Sequence, residues 1–251
     1  MLLAGRVAFL TGAGSGIGRA GALALAREGA VVTVTDLDGG RVEGVAGEIR
    51  AAGGQAEAMA LDAGDDAAVL TAINAVAARG RLDILHSHAG IQVPGRLTEV
   101  DAAGMDASWR LNVRAHFIAA RAAMPHMQRQ RAGSIIVTAS NSGVQHDRGM
   151  LAYGTTKHAV IAMVRQIALD YAADNVRCNA LCPGFVDTPF NQGFQTQMGG
   201  RAALESYVAR AIPMGRWASV DEIAASIVYL ASDQSAFMTG HALVIDGGEC
   251  L

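Results

Sequence analysis

A tyrosine and a lysine that could share a proton-transfer step stand four residues apart in the stretch YGTTK, at Tyr153 and Lys157. On a helix this spacing places both side chains on one face. A phenol titrates near ~10, too high for a base at neutral pH, but a neighbouring ammonium favours the phenolate. Lys157 is the one lysine in the chain, against 19 arginines, and a compact ammonium suits this task better than a planar guanidinium. The pair predicts an acid/base tyrosine whose pKa is lowered by a lysine.

Two more polar residues are candidates for the same chemistry. Ser140 follows the apolar run SIIVTA, thirteen residues before Tyr153. Ligands of α/β sheets bind beyond the carboxyl ends of the strands, so the Ser140 hydroxyl could hold the substrate oxygen while Tyr153 moves the proton. Asn112 lies in RLNVR, inside a predicted helix. There it could bend the helix or anchor a water, and a structural role alone is equally compatible with the sequence.

A glycine-rich turn, TGAGSGIG at residues 11–18, follows the first predicted strand and opens a helix. Gly12 permits a tight turn, Gly16 lets the backbone approach a pyrophosphate, and Gly18 lets the helix pack on the sheet. The free N–H groups at the start of the helix would then face the phosphates. The spacing is G-x-x-x-G-x-G rather than the commoner G-x-G-x-x-G, but its strand–turn–helix context predicts a dinucleotide site.

Carboxylates stand at the ends of the next two predicted strands. Asp36 ends VTVTD, and a carboxylate at this place accepts hydrogen bonds from ribose hydroxyls and repels a 2′-phosphate. Leu37, not a basic residue, follows it, and Ser15 stands where a basic side chain could otherwise help to bind a phosphate. These residues favour NAD over NADP. Asp62, in ALDAGD, is placed either to contact the adenine edge or to cap the next helix.

The elements that must position these residues alternate along the chain. Continuous apolar strands alternating with helices predict an α/β fold, a Rossmann-type doubly wound parallel sheet of about seven strands with helices on both faces. We predict a single domain over residues 1–251, because no linker or low-complexity segment interrupts it. The predicted strands are 7–11, 31–35, 56–60, 82–86, 134–138, 176–181 and 241–245. The predicted helices are 17–28, 41–52, 67–78, 105–129, 152–173 and 220–230.

Composition narrows the class of protein. With 251 residues, 51% hydrophobic and 17% charged, the chain is long and apolar enough to bury a full core. A net charge of -3 without a basic stripe argues against a nucleic-acid partner. The start of the chain predicts a strand and not a signal peptide, and no apolar run reaches the ~18 residues of a membrane span. Three cysteines, Cys178, Cys182 and Cys250, form no metal-binding pattern. We expect a cytoplasmic protein without a metal.

Together these motifs resemble the short-chain dehydrogenase/reductase family in its NAD-preferring, soluble form. The resemblance implies an oxidoreductase that moves a hydride between NAD and a secondary alcohol or ketone. It also implies a homotetramer built on the long helices 105–129 and 152–173. It covers the chain from about Arg6 onward, in family order and spacing. The stretches that carry it are TGAGSGIG, Asp36, HAG at 88–90, LNV at 111–113, Ser140, YGTTK, PGFVDTP at 183–189 and the closing TGHALVIDGG.

The resemblance implies a catalytic set of Asn112, Ser140, Tyr153 and Lys157. Tyr153 would be the acid/base and Ser140 would bind the carbonyl or carbinol oxygen. Lys157 would lower the pKa of Tyr153 and anchor the nicotinamide ribose, and Asn112 would hold a proton-relay water.

The resemblance likewise implies a cofactor set. Ile17, Asp62, Ala89 and Gly90 would line the adenosine and ribose side. Pro183, Val186 and Thr188 would hold the nicotinamide, with Thr188 on the carboxamide. The predicted cofactor contacts are Gly12, Ser15, Gly16, Ile17, Gly18, Asp36, Leu37, Asp62, Ala63, His88, Ala89, Gly90, Tyr153, Lys157, Pro183, Gly184, Val186 and Thr188.

One residue departs from the family pattern. The family usually has Asn at the first position of N-A-G, and here His88 stands there, in HSHAG. An imidazole still donates and accepts hydrogen bonds. His88 could therefore replace the Asn structurally or reach the cofactor ribose.

The segment between Ser140 and Tyr153 is polar and favours a small polar secondary alcohol, such as a sugar, a polyol or a hydroxy acid. His146 or Arg148 could grip a carboxylate or several hydroxyls, although Arg148 could equally be a surface residue. The irregular stretch from residue 183 to about 200 predicts a substrate lid, placed over residues 184–215. The predicted substrate contacts are Gln92, Ser140, Ser142, His146, Arg148, Tyr153, Phe190 and Phe194.

Two other functions stay open. A non-catalytic NAD-binding regulator that kept the fold would be expected to lose Tyr153 or Lys157, and both are present. An epimerase or dehydratase of the same superfamily also uses such a pair with bound NAD, but those chains are usually longer. In every case the expected partner is a small molecule, without nucleic acid or membrane.

Overall fold

The sheet brings the ends of separate sequence motifs to one edge. A computed structural model of the protein describes residues 1–251, except for the side chain of Gln197. Seven parallel strands pair in the order β3-β2-β1-β4-β5-β6-β7, which confirms the predicted sheet. The strands are β1 (Val7–Leu10), β2 (Val31–Asp36), β3 (Gln55–Ala60), β4 (Ile84–Ser87), β5 (Gly133–Thr138), β6 (Val176–Pro183) and β7 (Ala242–Ile245).

Strand order reverses between β1 and β4, and a crevice for ligands forms beyond the carboxyl ends at such a switch point. Helices α1, α2 and α9 pack on one face of the sheet, and α3, α5 and α6 pack on the other. The helices are α1 (Gly16–Arg27), α2 (Gly39–Ala51), α3 (Asp66–Ala77), α4 (Ala102–Trp109), α5 (Ala115–Gln130), α6 (Leu151–Tyr171), α7 (Gln192–Gln197), α8 (Arg201–Ala211) and α9 (Val220–Ala231).

The helix predicted over residues 105–129 is interrupted. Between α4 and α5 the residues Arg110–Arg114 form a π-helical turn, and the fully buried Asn112 lies at its centre. Such turns insert one extra residue into a helix and often mark functional sites. Of the possibilities that the sequence left open for Asn112, the structure shows a disturbed helix, in the form of a widened turn.

The stretch from residue 183 to 200, predicted to be irregular, is partly helical. It contains a 3₁₀ turn at Pro189–Asn191 and the short helix α7, and α8 follows, which the sequence patterns did not predict. The segment 184–215 has its own small apolar cluster, separate from the two cores beside the sheet. Leu204, Val208 and Ile212 form this cluster, and Phe185, Phe194, Met198, Tyr207 and Trp217 pack against it.

No helix among the described residues is long and apolar enough to cross a membrane.

Candidate active site

The glycine turn leaves room that any side chain would fill. A Cβ added at Gly12 would lie 2.9 Å from the Cα of Ala89, and one at Gly18 only 2.1 Å from the carbonyl oxygen of Gly12. Gly12 and Gly16 have φ values of 65° and 52°, in the left-handed region that glycine adopts at no steric cost. Gly18 therefore serves packing, and it lies outside the cavity lining, whereas Gly12 and Gly16 lie on it.

The start of α1 keeps its N–H groups free of side-chain caps. Ser15 occupies the N-cap position but its side chain makes no capping hydrogen bond. By contrast, Asp38 and Asp65 cap α2 and α3 with their carboxylates. Uncapped N–H groups at a helix start, behind a glycine turn, fit the phosphates of a dinucleotide.

Asp36 ends β2 and lines the cavity beside this turn. Its carboxylate accepts hydrogen bonds from the N–H groups of Gly14 (3.1 Å) and Asp38 (3.3 Å). Arg41, on the first turn of α2, was not predicted as a site residue, but its Cβ lies 3.0 Å from the position that a Cβ on Gly14 would occupy. Its guanidinium pairs with Asp38 at 3.2 Å. One cation thus stands near Asp36, although none follows it directly in sequence.

Asp62 follows β3 and also lines the cavity. Its Oδ1 accepts a hydrogen bond from the N–H of Gly64 at 2.8 Å, and Asp65, not Asp62, caps α3. The alternative capping role is therefore wrong, Asp62 instead fixes the turn after β3, and its contact with the adenine edge stays a prediction.

One cavity of about 800 Å³ joins the glycine turn to the predicted catalytic residues Ser140, Tyr153 and Lys157. Most of the predicted site residues lie on it, and Gly18, Gln92 and Asn112 do not. The predicted residues on its lining are Gly12, Ser15, Gly16, Ile17, Asp36, Leu37, Asp62, Ala63, His88, Ala89, Gly90, Ser140, Ser142, His146, Arg148, Tyr153, Lys157, Pro183, Gly184, Val186, Thr188, Phe190 and Phe194.

Tyr153 and Lys157 lie on the buried face of α6, with 6% and 3% of their surface exposed. The Lys157 Nζ donates a hydrogen bond to the carbonyl oxygen of Thr138 at 2.9 Å. It lies 5.5 Å from the centroid of the Tyr153 ring. The i,i+4 spacing thus places both groups on the cavity wall, beside the end of β5.

Burial dominates the protonation of this pair. It raises the pKa of Tyr153 to about 12, against the opposing effect of a hydrogen bond with Ser140. It also lowers the pKa of Lys157 to about 8. In the protein without a cofactor the pKa of Tyr153 is thus raised, because removing the phenolate from water is costly, and its lowering by Lys157 together with an oxidised nicotinamide stays a prediction.

Ser140 stands two residues after the end of β5 and is 7% exposed. Its hydroxyl donates to the Oδ1 of Asn141 (3.1 Å) and accepts from the N–H of Ser142 (3.2 Å). These bonds fix the hydroxyl on the cavity wall that also carries Tyr153. Ser140 and Tyr153 thus line the same cavity, while the binding of a substrate oxygen by Ser140 stays a prediction.

Asn112 lies beneath the wall and not on it. Its Oδ1 accepts from the N–H of Ile91 (2.8 Å), and its Nδ2 donates to the Ile91 carbonyl (2.9 Å) and to the Thr156 hydroxyl (3.2 Å). A Cβ on Gly90 would lie 3.1 Å from this Oδ1. Asn112 therefore clamps the loop after β4 against α6, while the water predicted for it stays a prediction.

His88 bonds toward the sheet. The ring Nδ1 of His88 lies 3.0 Å from the Thr138 hydroxyl. The backbone N–H of His88 donates a hydrogen bond to the Thr11 hydroxyl at 3.0 Å. The Nε2 of the buried His86 contacts the same Thr138 hydroxyl at 2.9 Å. Burial, then the charge of Lys157, lower the pKa of His88 to about 4, so its ring is neutral at pH 7. These contacts give His88 a structural role, and a ribose contact stays a prediction.

Some of the predicted substrate residues already contact other side chains of the protein, and others do not. The Ser142 hydroxyl donates to the Asp147 carboxylate at 2.5 Å, and His146 stacks on His158 at 4.8 Å between ring centroids. Arg148 is exposed at the cavity and pairs with no carboxylate among the described residues. Gln92 is not on the cavity lining. Its Oε1 lies 2.7 Å from the position of a Cβ on Gly193, which places Gln92 against α7.

Two aromatic rings of segment 184–215, Phe190 and Phe194, line the cavity that also contains Tyr153. Phe190 lies 6.2 Å from the Tyr153 ring between centroids, and Phe194 packs on Phe185 at 5.4 Å. The Nδ2 of Asn191 donates to the Val186 carbonyl, which ties the 3₁₀ turn to the end of β6.

Several lining residues were not predicted as site residues. Asn141 could have been found because it directly follows Ser140. Glu249 gave no local signal, because it comes four residues after β7 and reaches the site only through the pairing of β7 with β6. No cluster of three or more His, Cys, Asp or Glu side chains in the described part of the chain could hold a metal ion. The lining residues outside the predicted set include Leu61, Leu111, Thr138, Ala139, Asn141, Asp147, Met150, Phe185, Pro189, Asn191, Met198, Tyr207 and Glu249.

Comparison with known proteins identifies the family. A family model described as enoyl-(acyl carrier protein) reductase matches residues 12–249. A rat (Rattus norvegicus) protein named dehydrogenase/reductase SDR family member 6 is 36% identical over 251 residues, 98% of either chain. The chain belongs to the short-chain dehydrogenase/reductase family. It is an oxidoreductase of that family, with a nicotinamide cofactor and a small-molecule substrate that carries a hydroxyl or keto group.

Two other relatives within the short-chain dehydrogenase/reductase family are informative. The 2-keto-3-deoxy-L-fuconate dehydrogenase of Xanthomonas campestris pv. campestris is 41% identical over 248 residues, 98% of this chain and 80% of that protein. A solved structure from Beutenbergia cavernae, described as an NAD(P)-dependent gluconate 5-dehydrogenase with NADP at low occupancy, is 36% identical. It superimposes with a TM-score of 0.93 and covers 99% of this chain and 98% of its own.

Proposed function

We propose that the protein is an NAD(H)-dependent dehydrogenase that interconverts a secondary alcohol and a ketone in a small polar substrate, with Tyr153 as the acid/base. One observation carries the proposal. Ser140, Tyr153 and Lys157 meet on one wall of a cavity that runs on to the glycine turn and Asp36. A substrate oxygen on Ser140 would therefore lie beside both a proton donor and the nicotinamide end of a dinucleotide.

The side chains divide the work. The nicotinamide cofactor supplies the hydride acceptor or donor when it is bound. Ser140 holds the substrate oxygen by hydrogen bonding, and Tyr153 gives a proton to that oxygen during ketone reduction or removes one during alcohol oxidation. The Lys157 ammonium, fixed on the Thr138 carbonyl, favours the phenolate that oxidation needs.

The raised pKa of Tyr153 has a direction-dependent effect. A phenol with a pKa of about 12 is neutral at pH 7 and ready to donate its proton in the reductive direction. Oxidation first requires loss of that proton, and the positive charge of Lys157 and of an oxidised nicotinamide both favour the phenolate. We therefore infer that oxidation gains from alkaline pH more than reduction does.

The preference for NAD rests on Asp36. Its carboxylate lies on the cavity at the end of β2, where its charge would repel a 2′-phosphate. The neighbouring cation, Arg41, is already paired with Asp38. The relative from Beutenbergia cavernae carries NADP, so the ratio of kcat/KM for NAD to that for NADP is the quantity to measure.

The proposed substrate is a sugar, polyol or hydroxy acid. The reacting end is lined by the polar side chains of Ser142, Asn141, Asp147 and Glu249 beside the apolar rings of segment 184–215. Two relatives are named for oxidising sugar acids, a keto-deoxy-fuconate and a gluconate. We propose that residues 1–251 act as one domain in which segment 184–215 is the substrate lid.

The quaternary structure proposed is a homotetramer in the cytoplasm. Large apolar side chains are exposed along α4, α5 and α6, the helices expected to form the contacts. Trp109 and Phe117 are each 47% exposed, and Leu169 is 76% exposed. Light scattering coupled to size exclusion should give about four times the 25.9 kDa chain mass, and a monomer peak would contradict the tetramer.

The direct test is to mix the protein with NAD⁺ and a panel of sugars, polyols and hydroxy acids, and to follow NADH absorbance. Tyr153→Phe should abolish turnover while NADH binding, measured by calorimetry, stays within about threefold. Tyr171→Phe, which removes the same hydroxyl at the far end of α6, is the matched control and should retain full activity. Turnover by the Tyr153→Phe variant at the wild-type rate, or NADH binding without turnover of any alcohol or ketone, would refute the proposal.

A further inference from the structure

Glu249 is a carboxylate on the wall of the reacting cavity that the proposed chemistry does not use. The turn after β7 holds it there. Asp246 accepts hydrogen bonds from the N–H groups of Gly248 (2.9 Å) and Cys250 (2.8 Å), one on each side of Glu249. A Cβ on Gly184 would lie 3.2 Å from the Glu249 Oε2 and 2.7 Å from the Asp246 Cβ. The glycine thus allows this turn to lie against the end of β6.

A hydrogen-bonded chain connects Glu249 to the substrate-binding serine. The Asn141 Nδ2 donates to the Glu249 Oε2 at 2.9 Å. The Oδ1 of the same amide accepts from the Ser140 hydroxyl (3.1 Å) and from the Ser142 N–H (2.9 Å). The backbone donor of Ser142 requires an acceptor, which fixes the orientation of the Asn141 amide. Glu249 is therefore held in place by the same residue that orients Ser140.

The second carboxylate oxygen of Glu249 is left for a ligand. Among the hydrogen bonds of the described residues, none reaches its Oε1. Burial, and then the charge of Asp147, raise the pKa of Glu249 to about 7. A partly buried carboxylate with a free oxygen gains from a hydroxyl donor more than a solvated one does.

We propose that Glu249 is a specificity-determining residue, whose Oε1 accepts a hydrogen bond from a substrate hydroxyl next to the reacting carbon. This inference rests on the proposed function. The inference requires a substrate with a second hydroxyl next to the reacting carbon, and that hydroxyl faces Asn141 and Glu249. A carboxylate on that side would meet Glu249 and Asp147, two like charges, so a substrate carboxylate must point elsewhere. The cavity lining carries one arginine, Arg148, and one lysine, Lys157. Because Lys157 is proposed to act on Tyr153, Arg148 is the cation left to bind a substrate carboxylate.

The test uses Glu249→Gln and Glu249→Ala. Gln keeps the length of the side chain and an oxygen for the Asn141 amide, so it removes the charge with little change of shape. Glu205→Gln, which neutralises an exposed carboxylate on α8 that pairs with Arg201, is the control. Substrates are stereochemically matched pairs of a polyol and its aldonic acid, and KM and kcat are measured separately.

For Glu249→Gln we expect KM for the polyol to rise about tenfold, with kcat within about threefold and the NAD⁺ affinity unchanged. The ratio of kcat/KM for the acid to that for the polyol should rise, because a carboxylate near Glu249 and Asp147 then meets one like charge fewer. Glu249→Ala should raise the polyol KM further, and Glu205→Gln should match the wild type. Unaltered KM and unaltered substrate ratio in both Glu249 variants, with turnover intact, would overturn the inference and leave the proposed function standing.

A pH profile separates recognition from mere packing. Four charged or titratable groups surround Glu249. They are Asp147 in the loop between β5 and α6, Asp246 and Cys250 in the turn that holds Glu249, and Tyr207 on α8. The wild-type polyol KM should fall from pH 6 to pH 8 as Glu249 loses its proton and becomes the better acceptor, and this change should vanish in Glu249→Gln. If the wild-type enzyme turns over no panel member, the proposed function fails. Calorimetry with NADH-loaded protein then measures the affinity for each polyol and its aldonic acid. Equal affinities in the wild type and Glu249→Gln would overturn the inference about Glu249.

Discussion

The ammonium nitrogen of Lys157 lies 2.9 Å from the carbonyl oxygen of Thr138, so this lysine is held by the last residue of β5. The hydroxyl of the same threonine lies within 3.0 Å of a nitrogen of both His86 and His88. A hydroxyl has one proton to donate, so at least one of the two imidazoles must donate to it. The position of Lys157 therefore depends on a buried network and not on α6 alone.

Replacing Lys157 by Arg is expected to reduce kcat about 100-fold or more, although the charge is kept. The guanidinium is planar and larger, and it cannot place a compact charge on the Thr138 carbonyl and beside the Tyr153 ring. Overpacking of this buried position should also lower stability, by about 1–3 kcal/mol. Steady-state kinetics and thermal unfolding measure the two effects.

Arg165→Lys makes the reverse exchange at an exposed position on the same helix, and it should leave both quantities unchanged. Activity of Lys157→Arg close to that of the wild type would mean that charge alone suffices at residue 157.

Alcohol oxidation should accelerate with pH. The pKa of Tyr153 is raised to about 12 and that of Lys157 is lowered to about 8. Below pH 8 the phenolate fraction grows tenfold per unit while Lys157 stays charged, so kcat/KM for oxidation should rise about tenfold per pH unit. Above pH 8 the loss of charge on Lys157 should flatten the profile.

In Glu249→Gln, which lacks the pH dependence of KM that Glu249 contributes, a rise of about tenfold per pH unit should remain, which assigns it to Tyr153. An oxidation rate independent of pH from 6 to 8 would contradict the assignment. Reduction, measured with NADH and a ketone, should be flat or fall over this range because the phenol is already protonated.

Cofactor preference should respond to Asp36 and Arg41 in opposite ways. Asp36→Asn removes the charge but keeps an acceptor for the N–H of Gly14, so the ratio of kcat/KM for NADP to that for NAD should rise about tenfold or more. Arg41→Ala in the Asp36→Asn background should cancel most of this gain, because the guanidinium is the neighbouring cation. A preference unchanged by Asp36→Asn would show that this carboxylate does not select the cofactor.

The protein should lose stability as pH falls below about 6.5. Burial holds the pKa values of His86 and His116 well below the usual value. The unfolded chain then binds protons near pH 6.5 that the native state does not, so each histidine contributes a loss of up to about 1.4 kcal/mol per pH unit. Glu249, whose pKa is raised, acts in the opposite direction between pH 4.5 and about 7.

Thermal unfolding between pH 5 and 8 measures this slope. His116→Gln should reduce it, whereas His241→Gln, at an exposed position, should not. An identical slope in His116→Gln and the wild type would contradict the assignment to buried histidines.

The sequence predicted most of this site because its residues stand at the ends of strands or at fixed helical spacing. All seven strands were found, since buried parallel strands appear as continuous apolar runs. The π-turn at Arg110–Arg114 was missed because its cause is tertiary: the Asn112 side chain bonds Ile91 and Thr156, 21 and 44 residues away. The raised pKa of Tyr153 was missed because burial cannot be read from the type of a neighbouring residue.

Helix α8 in segment 184–215 and the position of Glu249 on the cavity were not predicted either. Helix α8 packs on its own small cluster, and the four-residue spacing of Leu204, Val208 and Ile212 was missed because the segment was interpreted as a lid. Glu249 enters the cavity through the pairing of β6 with β7, which joins residues about 60 positions apart. Local patterns carry no record of such pairings.

A chain with one lysine, buried to 3% exposure on the cavity wall, also has one ε-amine for chemical labelling. Reductive methylation with ¹³C-formaldehyde would give a single side-chain signal in a carbon spectrum, apart from the α-amine of the terminus. The shift of that signal with pH reports the protonation of Lys157, and its rate of appearance reports access through the cavity. Isotope labelling of this protein thus measures the protonation and the accessibility of Lys157 without a substrate having to be known.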